Sequence, residues 1–233
     1  MREHHLDVPR TARYHTLGDA GARTEQVWFV CHGYRQLAAR FLTRFRGLDD
    51  GTRLIVAPEG LSRFYVDLSP ARHGPEHRVG AAWMTREDRL AEIADYVRYL
   101  DRLAGVVLPR VDVLRSEGGQ APSSRIVLGF SQGVHTVSRW AAAGAVKADR
   151  LILWGAYLPH DLDMEKAAPV LRKSRLTLVH GDTDPAVDED RHRFQEERLE
   201  EWRIPYESIT HPGGHDVDRA VLAELARTGP STG

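Results

Sequence analysis

Five short apolar runs, rich in β-branched residues and tens of residues apart, constrain this chain more than any other feature. They are Val27-Trp28-Phe29-Val30-Cys31, Leu54-Ile55-Val56-Ala57, Ile126-Val127-Leu128-Gly129-Phe130, Leu151-Ile152-Leu153-Trp154 and Leu176-Thr177-Leu178-Val179. Continuous apolar runs this short read as strands buried on both faces, which is the signature of a parallel sheet. A weaker, alternating run spans Tyr206 to Thr210, and Thr11 to Leu17 offers an edge strand. Helical patterns separate the runs at Leu37 to Leu48, Arg86 to Leu103, Gln132 to Ala143, Asp163 to Lys173, Asp188 to Trp202 and Val217 to Ala226. In the second of these, Leu90, Ile93, Ala94, Val97 and Leu100 form the apolar stripe, and Gly105 and Pro109 are expected to break or kink its continuation toward Ser116. Alternating strands and helices predict an α/β fold, a mostly parallel central sheet with helices on both faces. With no repeat and no low-complexity linker in 233 residues, one domain spanning 1–233 is expected, its tail 228–233 disordered.

Composition narrows what such a fold can do. Lys+Arg 32 against Asp+Glu 33 leaves no basic excess for nucleic acid or anionic lipid. The single cysteine, Cys31, cannot form an internal disulfide, so nothing demands an oxidising compartment. No apolar run approaches the roughly 20 residues that span a bilayer, and Met1 to Asp7 lacks the apolar core of a signal peptide. The expectation is a cytoplasmic enzyme or binding domain with no stable membrane association.

Gly129-Phe130-Ser131-Gln132-Gly133 matches G-x-S-x-G at the place where a predicted strand meets a predicted helix. A serine on so sharp a turn needs neighbours without bulk two residues before and after it, and Gly129 and Gly133 meet that need. The helix that follows aims its N-terminal amides at the hydroxyl, where a developing oxyanion can be stabilised.

A serine hydroxyl is a poor nucleophile without a base, and the base needs an orienting acid. On an α/β-hydrolase chain these follow in the order Ser, Asp or Glu, His. The strand ending at Val179 runs into His180-Gly181-Asp182-Thr183-Asp184-Pro185, and the last strand into His211-Pro212-Gly213-Gly214-His215-Asp216. His215, after two glycines and before a helix, is better placed to reach inward than His211, which precedes Pro212 near the strand. Order alone does not separate Asp182 from Asp184.

These residues resemble the serine-esterase family that contains the acyl-protein thioesterases and the bacterial phospholipase/carboxylesterases. The likeness rests on the elbow at 129–133, on His180-Gly181-Asp182-Thr183-Asp184-Pro185, on Gly214-His215 and on His32-Gly33 after the first long run. It implies the α/β-hydrolase fold and makes Asp184 the acid and Asp182 structural. It also assigns the oxyanion-hole amides to Tyr34, after His-Gly, and to Gln132, after the nucleophile. The chain departs from the family in reading Tyr34-Arg35-Gln36-Leu37 where a glycine-rich loop is usual, and Ala186-Val187-Asp188 after Pro185.

The expected activity is hydrolysis of small carboxylic esters through an acyl-enzyme on a Ser131, Asp184, His215 triad. Thioester or lysophospholipid cleavage is the alternative, and a non-catalytic ligand-binding module is the alternative of another class. No cofactor is expected, and the twelve histidines contain no zinc signature such as H-E-x-x-H. Phe64, Tyr65, Trp83, Trp154 and Tyr157 are the expected walls of an apolar acyl or alcohol pocket. Gly155 to Arg175 has no spare length for a lid beyond its own helix. A cover could sit only in the polar stretch from Glu59 to Thr85.

Overall fold

The computed structural model describes residues 1–67 and 77–228. Its strands are β1 (Tyr14–Leu17), β2 (Gln26–Cys31), β3 (Arg53–Pro58), β4 (Ser62–Tyr65), β5 (Val79–Ala82), β6 (Ser124–Phe130), β7 (Arg150–Trp154), β8 (Arg175–Gly181) and β9 (Tyr206–His211). Seven of them form one sheet in the order β1-β3-β2-β6-β7-β8-β9. Every neighbouring pair is parallel except β1 against β3, so the early edge strand closes the sheet antiparallel.

Side chains along β2 show why the strands read as unbroken apolar runs. All six residues are buried. Val27, Phe29 and Cys31 enter one core, while Trp28 and Val30 enter the other, because successive side chains leave opposite faces of a strand. The first core is closed by α2 (Arg89–Glu117), α3 (Gln132–Ala143), α4 (Met164–Leu171) and α5 (Glu189–Glu201). The second is closed by α1 (Ala38–Leu42), by the 3-10 turns over Thr43–Leu48 and by α6 (Arg219–Arg227). Burying a large apolar side chain contributes about 1.5–3 kcal/mol, so a strand with no solvent face is anchored from both sides. Asp163, Asp188 and Asp218 each cap the helix that follows by accepting from its first-turn amides.

The expected break at Gly105 and Pro109 does not occur: α2 runs unbroken for 29 residues. Proline removes the hydrogen bond to the carbonyl four residues back, which here belongs to Gly105. Both residues lie on the exposed face, where that carbonyl is open to solvent and need not stay unpaired. The buried stripe is also displaced. Leu90 is 76% exposed and Ala94 is exposed, while Tyr96, Leu100, Leu103, Ala104, Val107, Leu108 and Val111 face the core. The inferred stop at 105 hid this longer stripe.

Between β3 and α2 the chain forms a second sheet that the sequence did not signal, the antiparallel pair β4–β5. Residues 68–76, between these strands, and the tail 229–233 lie outside the described residues. The stretch from Gly155 to Arg175 holds α4, and its loop is pinned by Asp161, which accepts from Arg89 at 2.5 Å and Arg139 at 2.7 Å. Burial pushes the Asp161 carboxyl up, but the two guanidiniums outweigh it and hold the group down at about 2. Among the described residues, no helix is long and apolar enough to cross a membrane.

Candidate active site

The chemistry-bearing loops all leave the carboxyl ends of parallel strands of the large sheet. Ser131 joins β6 to α3 with φ 54° and ψ −118°, a left-handed conformation that a non-glycine residue adopts only under constraint. Its amide donates to the Trp154 carbonyl at 2.9 Å, which ties the elbow to β7. The close approach that the glycines permit is explicit in the geometry. A Cβ on Gly129 would lie 2.4 Å from the Gly133 carbonyl, and one on Gly133 would lie 2.1 Å from the Cys31 carbonyl.

His215 follows β9, and its Nδ1 lies 2.8 Å from Asp184 Oδ2 and 3.0 Å from Oδ1. A carboxylate only accepts, so Nδ1 carries the proton and Nε2 of the neutral imidazole is left able to accept one. Asp184 is 5% exposed and is held by a further bond from the Ala186 amide at 2.8 Å. The His215 ring packs on Phe130, the residue before Ser131, at 4.9 Å between centroids. Among the described residues the imidazole hydrogen-bonds to Asp184 alone; catalytic hydrogen bonds to the nucleophile often tighten only when substrate closes the site.

The neighbouring candidates fall elsewhere. Asp182 Oδ1 accepts from the Gly213 amide at 2.8 Å, so this carboxylate binds the backbone of the histidine loop rather than the ring. His211 is buried, with Nδ1 on the Pro212 carbonyl and its ring beside Trp154. The five aromatic residues fall in three places. Trp83 and Trp154 are buried and serve as posts, their Nε1 groups donating to the His32 carbonyl at 2.9 Å and the Asp216 carbonyl at 3.0 Å. Phe64, stacked on Tyr34 at 5.4 Å, and the half-exposed Tyr65 stand on β4. Tyr157 donates to the Asp188 carbonyl at 3.2 Å.

Several contributors carry no sequence signal of their own. Glu59 has no exposed side-chain surface and accepts from Arg13, Arg63 and the Ala38 amide, fixing the chain between β3 and β4. Asp216, next to His215, is held by Arg44 at 2.8 Å. Gly155 has φ +67°, and a Cβ there would lie 3.1 Å from His215 Cε1 and 3.3 Å from Asp184 Oδ2. Gly155→Ala is therefore expected to displace the imidazole from its acid and to strain the backbone. Turnover should fall by at least about tenfold and stability by about 1 kcal/mol; rates and thermal unfolding check this, and an unchanged turnover would contradict it.

Burial also sets how acid acts on the protein. It lowers the pKa of His32, against the opposing Gly33 hydrogen bond and Glu59 charge, and lowers His135 to about 4 with help from Arg139. Both groups bind protons more readily in the unfolded chain, so the stability they contribute is complete above about pH 6.5 and declines as the pH falls below it. The unfolding free energy should drop with a limiting slope of about 1.4 kcal/mol per pH unit for each histidine. Denaturant titrations between pH 7 and 5 test this; stability that is flat or rising on acidification would count against it. Among the described residues, one group of side chains lies close enough to hold a metal ion, the exposed Glu3, His5 and Asp88, and it shares no residue with the elbow or its partners.

No protein-family model matches this sequence, and no curated protein matches it either. Solved structures do. Acyl-protein thioesterase 2 of Zea mays superposes with a TM-score of 0.64 at 14% identity, over 93% of this chain and 97% of the other. A carboxylesterase from Mesorhizobium loti gives 0.63 at 18% identity, over 94% and 95%. The fold is that of the α/β-hydrolases. The Bacillus cereus carboxylesterase shares it too, with a TM-score of 0.61 at 12% identity over 93% of this chain and 92% of that one. At such identities the likeness lies in the backbone fold, and the motif residues of this chain must speak for the chemistry.

Proposed function

We propose that this α/β-hydrolase is a serine hydrolase of carboxylic esters. The observation that carries the reading is the His215–Asp184 pair, joined at 2.8 Å beside a serine held at φ 54°. In the proposed reaction His215 Nε2 removes the Ser131 proton as the hydroxyl attacks the ester carbonyl. Asp184 fixes the tautomer and stabilises the imidazolium that forms. The amides of Tyr34 and Gln132 bind the tetrahedral oxyanion. His215 then protonates the leaving alcohol, and water repeats the sequence on the acyl-enzyme to release the acid. These steps use side chains and backbone amides of this chain and call on no cofactor.

The substrate is a small dissolved ester. Phe64 and the Tyr34 ring stacked on it supply apolar surface beside the oxyanion turn, and the loop after β7 is tied down by Asp161 rather than free to act as a lid. Initial rates on matched short-chain esters and thioesters, taken below and above the concentration at which the ester forms micelles, test this. Saturable ester hydrolysis without a jump at aggregation is expected. A preference for the thioester would redirect the reading to thioesterase activity, and a sharp rise on micelles would redirect it to a lipase or phospholipase.

A further inference from the structure

The turn after β2 leaves one amide free out of four. Gly33 N–H donates to Gln36 Oε1 at 2.9 Å, Arg35 N–H to the Ala81 carbonyl at 3.0 Å and Gln36 N–H to the Gly33 carbonyl at 3.3 Å. Among the described residues, the Tyr34 amide has no acceptor. Its direction is nevertheless fixed, because a trans peptide points its C=O and N–H opposite ways. The Gly33 carbonyl at the other end of that peptide is gripped by His32 Nδ1 at 2.8 Å as well as by Gln36 N–H. Gly60 N–H donates to His32 Nε2 at 3.0 Å, so the buried ring is neutral and Nδ1 is its donor.

The β4–β5 pair closes the clamp. Ala81 pairs with this turn in both directions, accepting from Arg35 and donating to the Gln36 carbonyl at 3.1 Å. Phe64 of β4 stacks on the Tyr34 ring. All this abuts the nucleophile, since a Cβ on Gly33 would lie 3.2 Å from Ser131 Cβ. The turn is made with Arg35, not glycine, at φ +66°, and the side chain of Gln36 supplies the acceptor that holds it.

We propose that Gln36 is a positioning residue, which with His32 and the β4–β5 pair holds the Tyr34 amide in place as an oxyanion donor. The inference rests on the serine-hydrolase reading.

Ser131-dependent hydrolysis by the unaltered enzyme is measured first; its absence overturns the hydrolase reading and this inference together. Given that activity, amide hydrogen exchange on the unaltered protein tests the inference alone. Tyr34 should exchange faster than Gly33, Arg35 and Gln36 in the free enzyme and become protected when phenylboronic acid forms a tetrahedral adduct on Ser131. Equal protection of all four amides before and after the adduct would overturn it. Gln36→Met keeps bulk but removes the acceptor, and Gln36→Ala serves as a second variant. Each should lower kcat by about tenfold or more, as expected for a misaimed oxyanion donor. KM should stay within about threefold, and the boronate inhibition constant should rise by the same factor as kcat/KM falls. A merely structural role would lower the thermal midpoint without that matched loss, and a folded variant with unchanged kcat would overturn the proposal.

Discussion

Ser131→Ala is expected to abolish ester hydrolysis while leaving the protein folded. In the proposed mechanism the hydroxyl is the atom that forms the acyl-enzyme, so its loss leaves only the oxyanion donors and binding to act on the substrate. In enzymes of this mechanism the loss of the serine costs on the order of 10⁶ in turnover. The fold should tolerate the change. Ser131 is partly exposed, its amide bond to the Trp154 carbonyl is independent of the side chain, and alanine meets the left-handed φ no worse than serine does. Far-ultraviolet circular dichroism and thermal unfolding should match the unaltered protein. A folded alanine variant that keeps a tenth of the activity would exclude a serine mechanism.

Asp184→Asn should follow, with a loss of about 10⁴ in turnover. Asparagine keeps the size and can still bond the ring, but by presenting its amide N–H to Nδ1 it favours the tautomer whose proton sits on Nε2. That nitrogen is then unable to accept from Ser131. The contrast with Asp182 makes the test sharp. Asp182 holds the Gly213 amide, and the backbone bonds Asp182 N–H to His211 O and Thr183 N–H to Gly213 O run alongside. Asp182→Asn is therefore expected to lower the thermal midpoint by a few degrees with a far smaller catalytic cost. Were Asp182→Asn the catalytically worse of two folded variants, the acid would be misassigned.

The parts of the molecule legible in the sequence were those where one physical demand selects residue types over a contiguous stretch. Strands covered on both faces must be apolar throughout, so the runs at 27–31, 54–57, 126–130, 151–154 and 176–179 marked the sheet without reference to anything distant. The elbow was legible because steric demand falls on Gly129 and Gly133 at fixed offsets from Ser131. The polar scaffold was not. Glu59 reads as an ordinary loop carboxylate until folding brings Arg13 and Arg63 to it, and Gln36 as a surface amide until the turn folds back on Gly33. Gly155 gives no local sign either, since what it must avoid comes from the loops after β8 and β9.

The proline in α2 misled for a related reason. Its cost depends on whether the orphaned carbonyl faces water, which the pattern 96, 100, 103, 104, 107, 108, 111 determines only once the sheet is in place. Order along the chain likewise left Asp182 and Asp184 open. The hydrogen bonds place Asp184 against His215 and Asp182 against the backbone.

The central claim, that Ser131 is an activated nucleophile served by His215 and Asp184, is tested most directly by covalent trapping. The unaltered protein is incubated with a fluorophosphonate, and its intact mass and digested peptides are then measured. One adduct per chain on Ser131 is expected, forming far more slowly in Asp184→Asn and not at all in Ser131→Ala. A folded protein that stays unmodified, or that carries the adduct on any other residue, would contradict the claim.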